Sequence, residues 1–399
     1  MTKWQRWFAI PLSTRWAICI WIAMLLGVFG RVAVARTTAQ SVLPVYLMAG
    51  ERWWNAEPLY AAPPPGMDVY RNPPGFAALF APLAQLPPRL VAILWRALGI
   101  GLFALGLRRF LAAVNPVSRA RRAEAAVWIV AAFLLLPAFN NGQVNLLLVA
   151  AALLGTAAAV RGRWWQASAW LMLAAWLKAY PVALAALILL LAPRRLVWRM
   201  PLVLTAFLAW PYVCQNPDYV HGQVVEFWKA MRADERGEAP LDRTMKGWTY
   251  LVRVASGEAV PPVVLQAAAA ASGLLLAGIV GLAVLRNGHR PVLFGTVLCA
   301  ALLWMVIFGP ATEMNTYSIL APLGWLAVLR GQPRGNRLLA GAGLALVLAA
   351  VIRGTFPSHP DITLASLQPL GAIVLFAVAV RALLALRPDP PLDDRARIV

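Results

Sequence analysis

Charged residues are scarce in this chain of 399 residues: Asp, Glu, Lys and Arg make up 13% of it, whereas 61% is hydrophobic. A soluble globular domain is roughly one quarter charged. Apolar runs of about 20 residues, each long enough to cross a bilayer, recur from one end to the other. The composition therefore predicts an all-α polytopic membrane protein and argues against a separate soluble domain.

Cysteine and histidine are also scarce, with three of each. Cys19, Cys214 and Cys299 are far apart, so they form neither a disulfide framework nor a spaced set of metal ligands. The histidines are equally dispersed. We therefore expect no cofactor and no His/Cys metal site, although this pattern does not exclude a divalent ion held by Asp and Glu alone.

Acidic residues number 16 against 36 basic ones, which gives a net charge of +20. When the apolar runs are threaded with both termini inside, most Lys and Arg fall on the inner side and most Asp and Glu on the outer side. This is the positive-inside pattern of membrane proteins. The basicity therefore reflects topology, and we expect no nucleic-acid partner.

The apolar runs predict one transmembrane domain over residues 1–386, with about 12 crossings and roughly 10 to 13 compatible with the pattern. The first run, Trp16–Gly30, follows three basic residues and is expected to be an uncleaved signal anchor. Two outer loops are expected at residues 36–72 and 214–262. Residues 387–399 are expected to form a short cytoplasmic tail.

Lys178 is the one charged residue between Trp164 and Ala192. A lone ammonium costs a few kcal/mol at the bilayer midplane. Both flanks, RGR before and PRRLVWR after, are basic, so both are predicted inside and KAYP becomes the tip of a hairpin. Arms of roughly 14 residues reach about 21 Å, less than the ~30 Å hydrocarbon core. We therefore expect the lysine in a recess that opens outward.

Other polar residues also gather at predicted outer turns and outer helix ends. A polar cluster recessed into one side of a helical bundle is a site hypothesis by default, and the alternative is that loops are simply polar. A lysine and an arginine together suit a lipid-linked phosphate, and a carboxylate could take a proton from an incoming hydroxyl. The cluster contains Asp68, Arg71, Asn72, Asn140, Asn141, Gln143, Asn145, Lys178, Glu313, Asn315 and Tyr317.

Three blocks in a fixed order carry a family resemblance: YRNPPGFAALFAPLAQLPP, FNNGQVNLLL and WLKAYPVALAALILLL. Over roughly residues 15–330 the chain resembles glycosyltransferase family 87, the polyprenol-phosphate-mannose-dependent mannosyltransferases with the GT-C fold. The family's Y-P-P, G-Q-x-N and K-x-x-P blocks correspond to Arg71–Pro74, Gly142–Asn145 and Lys178–Pro181. The resemblance implies a GT-C-like bundle with outer-face loops, in a bacterial inner membrane, with both termini cytoplasmic.

The resemblance also implies the reaction: transfer of a hexose, expected to be mannose, from a polyprenyl-phosphate donor to a lipid or glycan acceptor on the outer face, with inversion. Asp68 and Glu313 are the candidate catalytic bases, and Arg71 and Lys178 the candidate ligands of the donor phosphate. No residue is assigned to a metal. Substrate contacts are expected from Asn72, Asn141, Gln143, Asn145, Tyr180, Asn315 and Tyr317.

The chain departs from the family in the first outer loop. Active members resemble D-L-x-V-Y there, with the Asp as the implied base, whereas SVLPVY places Val42 at that position. Valine cannot accept a proton, so Asp68 or Glu313 would have to replace it. Two other hypotheses stay open: a transporter or flippase of polyprenyl-linked or glycolipid substrates, and a non-catalytic lipid-binding member of the fold.

Overall fold

The computed structural model describes residues 11–34, 41–114, 121–233, 239–241, 244–288, 290–309, 312–329, 332–355 and 362–386. The predicted tail, residues 387–399, and the basic residues that precede the signal anchor at positions 3 and 6 lie outside the described residues. Within them the protein is built of helices and contains no strand. The prediction of an all-α polytopic membrane protein is confirmed.

Eight helices in the described part of the chain are long and apolar enough to cross a bilayer. Shorter helices connect them or pack between them. In chain order the helices are α1 (Leu12–Val34), α2 (Leu43–Trp54), α3 (Pro74–Ala84), α4 (Pro88–Val114), α5 (Arg121–Asn141), α6 (Asn145–Val160), α7 (Trp164–Leu177), α8 (Val182–Leu191), α9 (Pro193–Leu196), α10 (Arg199–Cys214), α11 (Pro217–Arg232), α12 (Trp248–Ser256), α13 (Pro262–Asn287), α14 (Pro291–Phe308), the 3₁₀ helix Met314–Leu323, α15 (Gly324–Val328), α16 (Arg334–Thr355) and α17 (Ile362–Ala385).

The predicted count of about 12 crossings exceeds the eight long helices because several apolar helices are short. α3, α6 and α8 have 11, 16 and 10 residues. At 1.5 Å per residue they reach roughly 17, 24 and 15 Å, which is less than the hydrocarbon thickness. Length alone therefore does not decide which of them cross, and the count of 12 stays a prediction.

Two helices form the centre of the bundle. The apolar stretch of α14 is 78% buried, and in α6 almost every residue is buried. α6 is rich in Ala and Gly, and its Gly155 packs against Leu171 of α7 so closely that an added Cβ would lie 2.7 Å from the leucine. Small residues let membrane helices approach each other in this way. The apolar stretches of α1, α10 and α13, in contrast, are about 20% buried, as suits lipid-facing helices.

The predicted hairpin at Lys178 is present. Trp165 near the start of α7 and Trp198 after α8 are in contact, with ring centroids 5.1 Å apart, so both flanks lie at one end of the bundle. We call this the basic end, and the opposite end, where KAYP turns, the tip end. The arms have 14 and 10 residues, which corresponds to about 21 and 15 Å.

Candidate active site

The ammonium of Lys178 is held by a turn from another part of the chain. Its Nζ donates to Oδ1 of Asn145 at 3.0 Å and lies 5.8 Å from the ring centroid of Tyr180. Asn145 is fully buried, and its Nδ2 donates to Oε1 of Gln143 at 2.8 Å and to the carbonyl of Asn315 at 3.1 Å. One amide therefore connects three of the predicted outer turns.

The turn that presents Gln143 and Asn145 depends on a glycine. Gly142 has a φ of +76°, a conformation in which a Cβ is strained, and Gln143 donates its backbone N–H to the carbonyl of Ala138 at 2.9 Å. The guanidinium of Arg96 packs on the glycine, where a Cβ would come within 3.0 Å of it. The turn ends α5 and starts α6 in a fixed geometry.

Glu313 begins the 3₁₀ helix at the tip end. Its backbone N–H donates to Oγ1 of Thr316 at 3.0 Å, and its carboxylate accepts the backbone N–H of Thr316, which forms a capping box. The carboxylate interacts electrostatically with the hydroxyls of Tyr46 and Tyr180. Lys178 lies over the ring of the same Tyr180, so the acid and the ammonium are both near this tyrosine.

Two buried polar atoms beside this carboxylate have no hydrogen-bond partner of good geometry among the described residues: Nδ2 of Asn72 and the hydroxyl of Tyr180. Asn72 is 7% exposed and lies next to the hydroxyl of Tyr46. A buried polar group left without a hydrogen bond costs about 1–3 kcal/mol, so such groups need an explanation. Two of them beside an acid and a cation suit a ligand that carries hydroxyl groups.

Asp68 and Arg71 form a separate pair. Nη1 of Arg71 lies 2.9 Å from both carboxylate oxygens of Asp68, and the two side chains are 27% and 65% exposed, respectively. The partners are three residues apart in one loop. The structure therefore gives this pair a local contact of its own, distinct from the network around Asn145.

Two predicted substrate residues have structural partners. Oδ1 and the backbone carbonyl of Asn141 accept the N–H of Val42 at 3.1 and 3.0 Å and so cap the start of α2. Tyr317 is fully buried, and its hydroxyl donates to the carbonyl of Lys246 at 2.7 Å. Lys246 in turn donates its backbone N–H to the carbonyl of Thr312, next to Glu313. A role of Asn141 and Tyr317 in substrate binding stays a prediction.

The sequence model of glycosyltransferase family 87 matches residues 70–310, which is more than half of the chain. The chain belongs to glycosyltransferase family 87. Membership indicates a membrane glycosyltransferase and confirms the family resemblance. No curated protein matches the chain significantly.

The matched interval is narrower than the roughly 15–330 over which the resemblance was expected. It contains the turns of this family 87 member that carry Asn72, Gln143, Asn145 and Lys178. Val42 precedes the interval and Glu313 follows it by three residues. Asp68 also precedes the interval, so the position of Val42 and both candidate bases lie outside the match.

Sequence reasoning assigned no role to Tyr46 and Arg96 of this glycosyltransferase. Arg96 is 2% exposed and donates through Nε to the carbonyl of Phe139 and through Nη2 to the carbonyl of Asn140 and the hydroxyl of Ser41, at 3.0, 2.8 and 3.2 Å. A cation at the carboxyl end of a helix is favourable. Arg96 thus ties the end of α5 to the segment before α2. The sequence signal that could have identified Arg96 is its position in an apolar run.

The two predicted outer loops of the family 87 protein contact each other over the tip end. Between the loops, the hydroxyl of Tyr219 in α11 donates to the carbonyl of Glu57 at 2.7 Å, and within the first loop the hydroxyl of Tyr60 donates to the carbonyl of Asn72 at 2.8 Å. Burial raises the pKa of Tyr60, with a further contribution from Tyr219; burial also raises the pKa of Tyr219, with a contribution from Glu57. Both hydroxyls stay protonated at neutral pH and remain donors.

Among the side chains that the structure describes, no group of three or more His, Cys, Asp and Glu residues is placed to hold a metal ion. Asp68 is engaged by Arg71, and Glu313 by the capping box. The expectation of a cofactor-independent enzyme stays a prediction.

Proposed function

We propose that the protein transfers a hexose, mannose in the first instance, from a polyprenyl-phosphate donor to a lipid or glycan acceptor at the outer face of the membrane. The observation that carries this proposal is the placement of Lys178 at the tip of a hairpin whose arms are shorter than the hydrocarbon core. An ammonium at that depth suits a phosphate whose polyprenyl tail remains in the bilayer.

Lys178 is proposed to hold the donor phosphate, which becomes the leaving group. A lysine supplies a compact positive charge, and a preorganised charge aimed at a departing phosphate lowers the transition-state energy. Asn145 fixes the ammonium through its 3.0 Å hydrogen bond. Arg71, whose planar guanidinium can grip two phosphate oxygens, is proposed to exchange Asp68 for the donor.

Glu313 is proposed as the base. An acceptor hydroxyl oxygen attacks the anomeric carbon of the donor sugar, and its proton passes to the Glu313 carboxylate. The bond between the anomeric carbon and the phosphate oxygen breaks, and polyprenyl phosphate leaves with the electron pair, so the configuration inverts. Glu313 is favoured over Asp68 because both Asp68 oxygens face Arg71 and the side chain is 65% exposed. Valine at position 42 cannot take the proton.

Hydroxyl groups of the sugar are proposed to satisfy the buried amide of Asn72 and the buried hydroxyl of Tyr180. The Tyr180 hydroxyl has no hydrogen-bond partner among the described residues, and the Asn72 amide has only a poorly aligned contact with the hydroxyl of Tyr46, which is near Glu313. A site built to hydrogen-bond a substrate hydroxyl discriminates strongly against analogues that lack it. Gln143, Asn141, Asn315 and Tyr317 are proposed to line the site around them.

The experiment uses purified protein in lipid nanodiscs with radiolabelled polyprenyl-phosphate-mannose and a panel of acceptor lipids, and follows release of polyprenyl phosphate. We expect release by the wild type and by Asp68→Asn, and loss of release in Glu313→Gln. Release by Glu313→Gln but not by Asp68→Asn would move the base to Asp68. No release by the wild type, with donor binding retained, would favour a lipid-binding protein.

A flippase is distinguished by access. A transporter exposes its site to both sides of the membrane in turn. In sealed vesicles we expect an impermeant thiol reagent to reach a Lys178→Cys variant from one side alone. Labelling from both sides, in a background that lacks Cys19 and Cys214, would contradict the glycosyltransferase proposal and support transport.

A further inference from the structure

At the basic end, an arginine packs against two tryptophans that contact each other. Cζ of Arg199 lies 4.1 Å from the ring centroid of Trp198 and 5.3 Å from that of Trp165, and the two rings meet edge to face. Nη1 of Arg199 donates to the carbonyl of Arg195, whereas its buried Nε has no acceptor among the described residues. The stack holds the guanidinium plane in place with a donor unused.

More arginines surround this stack, from three separate parts of the chain. Arg161 donates to the carbonyl of Arg109 at 3.0 Å, which joins the end of α4 to the turn before α7. Burial lowers the pKa of Arg161, and the charges of Arg163 and Arg109 lower it further. The described ion pairs involve none of these arginines. The patch consists of Arg109, Arg161, Arg163, Arg194, Arg195 and Arg199.

Topology explains why arginines gather at one end but not why one of them packs over a tryptophan ring with a second tryptophan beside it. The segment from residue 160 to residue 200 contains no Asp or Glu. Like charges brought together without a carboxylate repel each other, and an anionic ligand relieves that repulsion. Arginine binds phosphate through a planar, bidentate contact, and a stacked guanidinium is already ordered for it.

The neighbourhood of the patch is apolar and exposed. Trp165 and Trp198 are each 49% exposed, and Val197 and Leu202 are each 55% exposed. Tryptophan concentrates at the level of lipid headgroups, with its apolar body toward the chains and its N–H toward water. A ligand that covers both surfaces needs a phosphate and an acyl chain, so a soluble phosphate fits only half of the site.

We propose that Trp165, Trp198 and Arg199, assisted by Arg194 and Arg195, bind the headgroup of an anionic phospholipid at the basic end. The site is independent of the proposed sugar transfer and lies at the base of the hairpin whose tip carries Lys178. A lipid bound there stabilises the folded state, because a ligand that binds only the folded protein shifts the unfolding equilibrium.

The test measures lipid binding by native mass spectrometry on delipidated protein in detergent, with phosphatidylglycerol and phosphatidylcholine as probes. We expect the wild type to prefer phosphatidylglycerol, and Arg195→Gln/Arg199→Gln to lose about 30-fold in its affinity, since two basic residues at an anionic surface together contribute about 2 kcal/mol. The matched control is Arg334→Gln/Arg337→Gln, which removes two exposed arginines from the first turn of α16 and should change the affinity less than about twofold.

Equal loss in both double variants, or no preference of the wild type for the anionic lipid, would overturn the proposal. Arg199→Lys keeps the charge but not the planar guanidinium, and it remains informative if the double variant does not fold. Affinity equal to that of the wild type would also contradict the role of the Arg199 guanidinium in the site. Glycerol phosphate at millimolar concentration should not displace the lipid. Displacement would assign the site to a soluble phosphate instead.

Discussion

Lys178 and Arg71 were predicted for the same task, yet the structure gives them different surroundings. Lys178 bonds to a fully buried amide 33 residues away, and that amide also contacts a segment 170 residues away. Arg71 pairs with Asp68, three residues before it, in a side-chain contact that is largely exposed on the acid's side. One cation belongs to a network that requires the whole fold, and the other to a contact within a single loop.

The difference separates preorganised groups from adaptable ones. A buried network holds its atoms in place and gains strength from a low local dielectric, whereas an exposed ion pair contributes little and can exchange partners. The same contrast applies to the two acids, Glu313 in a capping box and Asp68 on the loop. We therefore expect Lys178 and Glu313, both partly buried, to control catalysis, and the more exposed pair of Asp68 and Arg71 to adjust it.

The largest expected effect is on the base. Glu313→Gln retains an acceptor for the capping box but cannot take a proton, so the turnover rate should fall about 10²–10⁴-fold. Asp68→Asn should change it by no more than a few-fold. Single-turnover release of polyprenyl phosphate measures both. A larger loss in Asp68→Asn would reverse the comparison.

The second effect is on donor binding. Lys178→Met keeps the length of the side chain without its charge, and loss of a buried charge contact costs about 2–5 kcal/mol, which corresponds to 30-fold or more in affinity. Arg71→Gln is the matched control and should weaken binding far less. Equilibrium binding of a fluorescent polyprenyl phosphate compares them. Equal affinities in the two variants would show that Lys178 contributes no more to donor binding than Arg71 does.

The third effect is on stability. Asn145→Ala removes the buried amide that bonds to Lys178, Gln143 and the carbonyl of Asn315, which should cost about 1–3 kcal/mol. Asn55→Ala removes an exposed amide at the end of α2 and should be close to neutral. The unfolding temperature in detergent reports both. A similar shift in the two variants would mean that the Asn145 network adds nothing to the fold.

The smallest effect is expected from the exposed pair. A double-mutant cycle of Asp68→Asn and Arg71→Gln should give a coupling energy below about 1 kcal/mol, and it should shrink as salt rises. The cycle needs the unfolding free energies of the wild type, the two single variants and the double variant. Thermal unfolding at two ionic strengths measures them. A coupling of several kcal/mol that does not depend on salt would mean that this pair contributes as much to the fold as the Asn145 network.

Flanking charge was enough to predict the hairpin at Lys178, because a basic segment on each side requires both ends on one side of the membrane. The contact between Trp165 and Trp198 confirms it. The number of crossings could not be predicted in the same way. α3, α6 and α8 are apolar yet short, and their depth depends on the neighbours they pack against rather than on their own composition.

The site was predictable in its residue types but not in its pairings. Asn141 and Asn145 are both amides in one turn, and nothing in the sequence shows that one caps α2 while the other holds Lys178. Those choices depend on partners about 99 and 33 residues away. Arg96 shows the same limit, since an arginine in an apolar run can serve a ligand or, as here, the carboxyl end of a helix.

The 3₁₀ helix that follows Glu313 is longer than an α-helix of the same number of residues. Ten residues rise about 20 Å in this form but about 15 Å as an α-helix, and 3₁₀ runs longer than three or four residues are uncommon. Rewinding the segment would shorten it by roughly 5 Å, and it would have to break the contacts of Asn315 with Asn145 and of Tyr317 with Lys246. Spin labels at Met314 and Val328 would report that contraction as a shorter label-to-label distance when donor is added. An unchanged distance would show that the 3₁₀ helix keeps its length.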